Sequence, residues 1–104
     1  MRLLPACAAF LALSAVQAFG AAAEGKAIFD TKCKACHGAE GAGNPAIAKM
    51  MKVTMRPLGS AEVQAKSDAE LKKDMTQGNG KMKPVALSAK QADDVVAYIR
   101  TLKK

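Results

Sequence analysis

Cys33, Cys36 and His37 fall within five consecutive positions, Cys33-Lys34-Ala35-Cys36-His37, directly before Gly38. Donors at i, i+3 and i+4 share one side of a helical turn, so two thiols and an imidazole can meet a single object. Three chemistries use such donors. Cys-x-x-Cys-His is the attachment signature of c-type haem: the thiols add to the two vinyl groups as thioethers and the adjacent imidazole coordinates iron. A structural zinc site closes with four Cys or His ligands, but beyond these three donors the chain offers only Cys7, in a segment read below as removed. An open zinc site would need a carboxylate or a partner's ligand that the sequence does not point to. A redox dithiol usually opens a helix after a strand, where the helix dipole lowers the first thiol's pKa. Here a helical pattern precedes the motif. Donor count and context favour haem, with zinc and dithiol exchange as the alternatives.

An iron held by one imidazole is either left open for chemistry or capped for electron transfer. No second histidine exists, so the candidates for a cap are methionines. Met50 and Met51 fit the apolar face of one predicted helix, Met75 fits the stripe of another, and Met55 lies soon after the first of these, so core packing suits all four. Met82 differs. It sits among Gly78, Asn79, Gly80, Lys81 and Lys83, with no helical stripe to join and enough chain behind it to reach the opposite haem face.

The elements that must position these groups read as helices. The first is expected over about Glu24 to Ala35, with Gly25, Phe29 and Cys33 on an i, i+4, i+8 line and Ile28 beside it. A short second helix enters through Asn44-Pro45 and carries Ile47, Met50 and Met51. The third opens on a capping box, Ser67-Asp68-Ala69-Glu70, carries Leu71 and Met75, and stops at Gly78 in the left-handed conformation. The last opens on Ser88-Ala89-Lys90-Gln91 and puts Ala92, Val95, Val96, Ile99 and Leu102 on one face. Asp93 and Asp94 sit early in it, and Arg100, Lys103 and Lys104 late, as the helix dipole favours. β-Branched residues never alternate over a useful length, so the fold is expected to be all-α with three to four helices.

Ahead of this domain, Arg2 and the apolar run Leu3 to Val16 read as a secretory leader, too short to span a bilayer and followed by small residues. Cleavage is expected after Ala18 or Ala23. A lipid-modified Cys7 fits poorly, because the apolar run follows that cysteine when it should precede it. Residues 1–23 are taken as the leader and 24–104 as the domain; removing 23 of 104 residues leaves 81. So short a chain builds a marginal core, and a covalently held haem would supply the apolar surface it lacks. The chain without haem is expected to be poorly folded.

Without Arg2, 15 basic residues face 9 acidic ones, a formal +6 spread in ones and twos. Nucleic acid is an unpromising partner, since the exported chain meets little of it and only Phe29 and Tyr98 remain for stacking. Docking on acidic protein or anionic membrane surface, with salt-dependent association, is the better inference. No further transmembrane segment is expected.

Across nearly its whole expected mature length the chain resembles the small single-haem class I cytochromes c of bacteria. The residues that carry the resemblance are Gly25 and Phe29, Cys33-Lys34-Ala35-Cys36-His37-Gly38, Asn44-Pro45, Ser67-Asp68-Ala69-Glu70-Leu71, Gly80-Lys81-Met82 and Val95-Val96-Ala97-Tyr98-Ile99-Arg100. One departure stands out: such proteins usually place Pro directly after the ligand Met, whereas Lys83 here precedes Pro84. The resemblance implies helices wrapped around one covalent haem c, with the first and last crossing where Gly25 and Phe29 meet Tyr98. It implies Cys33 and Cys36 as thioether donors, His37 and Met82 as axial ligands, and a Pro45 carbonyl accepting a hydrogen bond from His37 Nδ1. Arg56, or Lys52, is a candidate partner for a haem propionate. The implied function is that of a soluble, monomeric, periplasmic electron carrier and not an enzyme, passing one electron at a time by outer-sphere transfer between respiratory redox partners. Its acidic partners would dock near Lys32, Lys34, Lys81 and Lys83. A haem enzyme or gas sensor with a labile Met82, and a dedicated subunit of one oxidoreductase, are the competing functions.

Overall fold

The computed structural model describes residues 20–104. The expected leader therefore lies outside the described residues except for its last four, 20–23, which are helical and run unbroken into the first element. In chain order the elements are α1 (residues 20–32), α2 (Lys34–His37), α3 (Pro45–Met51), α4 (Ala61–Gln64), α5 (Asp68–Gln77) and α6 (Ala89–Thr101). No strand forms among the described residues; a single bridge pairs Asn79 with Met82. The fold is all-α. Of the six segments α2 and α4 are single turns, which leaves the four longer helices that the apolar periodicity predicts.

The i, i+4, i+8 line of α1 is buried as its spacing requires: Gly25, Phe29 and, just past its end, Cys33. The opposite face is solvated, with Lys26 Nζ 2.9 Å from Asp30. Gly25 permits a close approach of two helices. A Cβ there would lie 1.8 Å from the Asp94 carbonyl oxygen, so α1 and α6 cross backbone against backbone and only glycine fits. One turn along, Phe29, 1% exposed, packs on Tyr98 at a centroid distance of 5.2 Å and a 56° tilt. Lys90 closes the crossing at its rim, bonding Glu24 at 2.8 Å and the buried Asp94 at 2.9 Å.

α5 and α6 both open on capping boxes, at Ser67/Glu70 and Ser88/Gln91, as expected. Their apolar stripes meet: Leu71 and Met75 join Ala92, Val95, Val96 and Ile99 in one buried cluster. α5 ends at Gly78 with φ 84° and ψ 165°, a conformation nearly confined to glycine but not the left-handed helical one expected.

Two features depart from the periodicity. The first helix does not run on to Ala35: it breaks at Cys33, and His37 N then bonds back to the Cys33 carbonyl at 3.0 Å to restart as α2. The second is α4, capped by Ser60, whose Gln64 donates to the Leu58 and Ile99 carbonyls at 2.9 and 3.0 Å. Arg100 locks this corner, donating to the Gln64 and Lys66 carbonyls and to Asp68.

A Cys-Cys-His turn and a methionine turn

α2 presents the three candidate donors, and its end is fully satisfied. A helix leaves its last four carbonyls without partners. Here Gly38 N bonds Lys34 O at 2.8 Å, Asn44 Nδ2 bonds Ala35 O at 3.1 Å, Asn44 N bonds Cys36 O at 2.9 Å and Gly43 N bonds His37 O at 2.7 Å. Asn44 also caps α3, its Oδ1 accepting from Ala46 N and Ile47 N. One side chain therefore fastens the turn that carries the donors to the next helix. The sequence marked Asn44 as a cap but gave no sign of its second role.

Cys33 is buried beside Phe29 and Tyr98, while Cys36 is exposed; neither is in a disulfide. Burial pushes the Cys33 thiol up, only partly offset by Lys32, and Cys36 nearby adds to the rise. A redox dithiol works the other way, with an accessible first thiol of depressed pKa. Among the described residues no three His, Cys, Asp or Glu side chains are grouped to hold a bare ion. Both alternatives to haem thus lose ground on geometry as well as on residue count.

The His37 ring lies 6.5 Å from that of Phe29, and burial holds its pKa below the ordinary value, which favours the neutral imidazole. Its Nδ1 is buried without a hydrogen-bond partner. No hydrogen bond joins it to the carbonyl of Pro45, the first residue of α3 and the acceptor that the resemblance implies. A half-buried imidazole whose buried Nδ1 has no partner is not a structural histidine satisfied by the protein.

Met82 stands on a tight reverse turn. Asn79 N and Met82 O are 3.1 Å apart, Met82 N and Asn79 O 2.9 Å, with Gly80 at φ 58° between them. Asn79 Nδ2 reaches Asp74 at 3.2 Å, and Val85 N reaches the Met75 carbonyl at 2.8 Å, so α5 holds both flanks. The Met82 side chain is half-buried against the α5–α6 cluster. Met75 is buried within that cluster, as its stripe predicts. Met50, expected in the core, is 71% exposed, because α3 has no fully buried residue; Met51 and Met55 are half-buried.

Arg56 is on the surface, its Nε 2.9 Å from Glu62, and Lys52 caps α3 in the left-handed conformation at φ 56°. Neither is brought to the donor turn by a contact. Of the four lysines expected to dock partners, Lys32 donates to the Ala86 carbonyl at 3.1 Å and Lys81 to the Met51 carbonyl at 2.7 Å. The ammonium groups of Lys34 and Lys83 have no protein partner among the described residues.

These donors fit a haem. Two thiols and a neutral imidazole share one locked turn, a thioether is offered from a second turn, and α3 leaves methionine outside the protein's own core. Comparison with known proteins agrees. A family model described as cytochrome c matches residues 22–103. The chain is 37% identical over 90 residues to cytochrome c-554(547) of Halothiobacillus neapolitanus, covering 81% of this chain and 99% of that relative. Among solved structures it is similar to the KustC0563 c-type cytochrome, with a TM-score of 0.67 and 26% identity over 77% of this chain and 98% of that one.

Proposed function

Because this chain belongs to the cytochrome c family, a family of haem-based electron carriers with covalently bound haem c, we propose that it is a His/Met-ligated one-electron carrier that works in the periplasm. Bound haem supplies an iron that takes up and gives back one electron at a time. Cys33 and Cys36 would hold it as thioethers, and His37, whose neutral form burial favours, would offer an imidazole lone pair to the iron. Met82 would offer a thioether. A neutral thioether favours the ferrous state and raises the potential. The observation that carries this reading is the locked turn bearing Cys33, Cys36 and the unpartnered His37.

Charge supports the expectation of acidic partners. Seven of the nine carboxylates pair with lysine or arginine, and six of these seven lie on α1, α5 and α6. Residues 75–92 carry no acidic residue, and 31–61 carry only Glu40. The positive charge left over therefore borders both donor turns, with Lys34 and Lys83 the groups most available to a partner's carboxylates. A leader in residues 1–23 would deliver the protein as a monomer to the periplasm; among the described residues no helix is long and apolar enough to cross a membrane.

The test is a spectrum of protein matured in a host with haem-attachment machinery. A saturated carrier has a ferric sulfur-to-iron band in the far red and, when reduced, binds no carbon monoxide. Met82→Ala should abolish the band, admit carbon monoxide and lower the potential by on the order of 0.1–0.3 V, within the ~0.8 V that axial ligation spans. Carbon monoxide binding by the unaltered protein would favour a haem enzyme or sensor. A spectrum unchanged in Met82→Ala would move the ligand role to another methionine.

A further inference from the structure

The Met82 segment, residues 79–86, is tied at four points. Two ties go to α5, through Asn79 and Val85. The other two are lysine ammonium groups that reach across the fold. Lys81 Nζ donates to the carbonyl of Met51, the last residue of α3, at 2.7 Å. That carbonyl is one of those a helix leaves without a partner, at the end where the dipole favours a cation. Lys32 Nζ, from the residue before Cys33, donates at 3.1 Å to the carbonyl of Ala86, four residues beyond Met82.

An exposed lysine keeps its rotamer freedom unless something offsets the loss. Both side chains give it up to span sequence separations of 30 and 54 residues. Each joins the Met82 segment to the donor side, one through α3, which Asn44 fastens to α2, and the other directly from the end of α1. We propose that Lys32 and Lys81 are positioning residues. Their bonds hold the Met82 turn in register with the Cys33–His37 turn and so set how readily the thioether leaves the iron. This rests on Met82 being the axial ligand.

The test uses the haem-loaded protein and imidazole as an external ligand of the ferric form. Lys81→Met and Lys32→Met keep the apolar stem and lose the donor; each should bind imidazole about threefold to tenfold more tightly, the weight of one exposed charge-assisted hydrogen bond. Lys83→Met removes the same charge beside Met82 but breaks no bond, and should stay within about twofold of the parent by the same reasoning. Lys81→Arg restores a donor and should recover most of the loss. The far-red band should fade at lower temperature in the two strap variants while the loss of helical circular dichroism does not move.

A shift in Lys83→Met equal to that in Lys81→Met would assign the effect to net charge and overturn the proposal. Strap variants that match the parent would overturn it too, as would band and helix signals that move together. If those failures come with a band that Met82→Ala abolishes, the ligand assignment stands and only the straps are wrong. If Met82→Ala keeps the band, the assignment fails and the straps fall with it.

Discussion

The α1–α6 crossing and the two donor turns, Cys33–His37 and the one at Met82, are built on opposite principles. At the crossing every group has its partner within the chain: Gly25 lies on the Asp94 backbone, Phe29 on Tyr98, and the buried Asp94 carboxylate on Lys90. At the first of these turns His37 Nδ1 is buried and unpartnered and Cys36 is exposed, and on the neighbouring α3 Met50 is 71% exposed. The first region is complete as polypeptide. The second leaves donors unused by the polypeptide, and the family to which the chain belongs carries covalent haem c. A small chain can thus place its few aromatic residues at one rigid crossing and leave its haem-attachment motif free of internal partners.

That contrast breaks most readily at the crossing. Gly25→Val would drive side-chain atoms into the Asp94 carbonyl, and neither helix backbone can yield without separating Phe29 from Tyr98. The expected cost is about 3–5 kcal/mol, comparable to losing a buried aromatic, read from the denaturant midpoint of the haem-loaded protein. A loss below about 1 kcal/mol, the range of an ordinary surface change, would mean that the helices do not cross so closely.

On the donor side the matching weak point is Asn44. Asn44→Ala removes both the cap of α3 and the bond to the Ala35 carbonyl. It should cost about 1–2 kcal/mol, less than Gly25→Val, because the backbone bonds from residues 43 and 44 remain. Its signature is local: hydrogen exchange should quicken at residues 35–38 and 46–48 and leave α6 unchanged. Equal acceleration in α6 would show that the two regions are not separable.

Lys90 sharpens the comparison through pH, with the smallest expected effect. Its pKa is raised well above 10.5, first by its hydrogen bond to Asp94 and then by the one to Glu24. A raised folded pKa gives a contribution fully present below the unfolded value and lost as pH climbs through the folded one. Thermal midpoints of the parent and Lys90→Met should therefore differ by a constant amount up to about pH 10 and converge above 10.5, the ordinary lysine value. A difference that shrinks already between pH 7 and 9 would point to another group.

Both helix-opening boxes, the stripes of α5 and α6, and the Gly25–Phe29–Cys33 line were legible because each is a local pattern of spacing or capping. The Cys33-Cys36-His37 pattern was legible for the same reason, and the family it pointed to is the one to which the chain belongs. Contacts between residues far apart in sequence were not. Nothing in Ser60 to Gln64 marks a one-turn helix whose glutamine braces α6, and Arg100 looked like a dipole charge where it holds three segments together. Lys32 and Lys81 looked like docking charges, since a lysine's reach to a particular carbonyl depends on the packing of every element between them.

The completion of the donor turns by haem is tested most directly by the intact mass of the matured protein, followed by isolation of its coloured proteolytic fragment. The predicted mass is that of the polypeptide plus one haem, with the colour on a fragment that contains both Cys33 and Cys36 and neither thiol open to alkylation. A colourless protein with the bare polypeptide mass and two reactive thiols would contradict it.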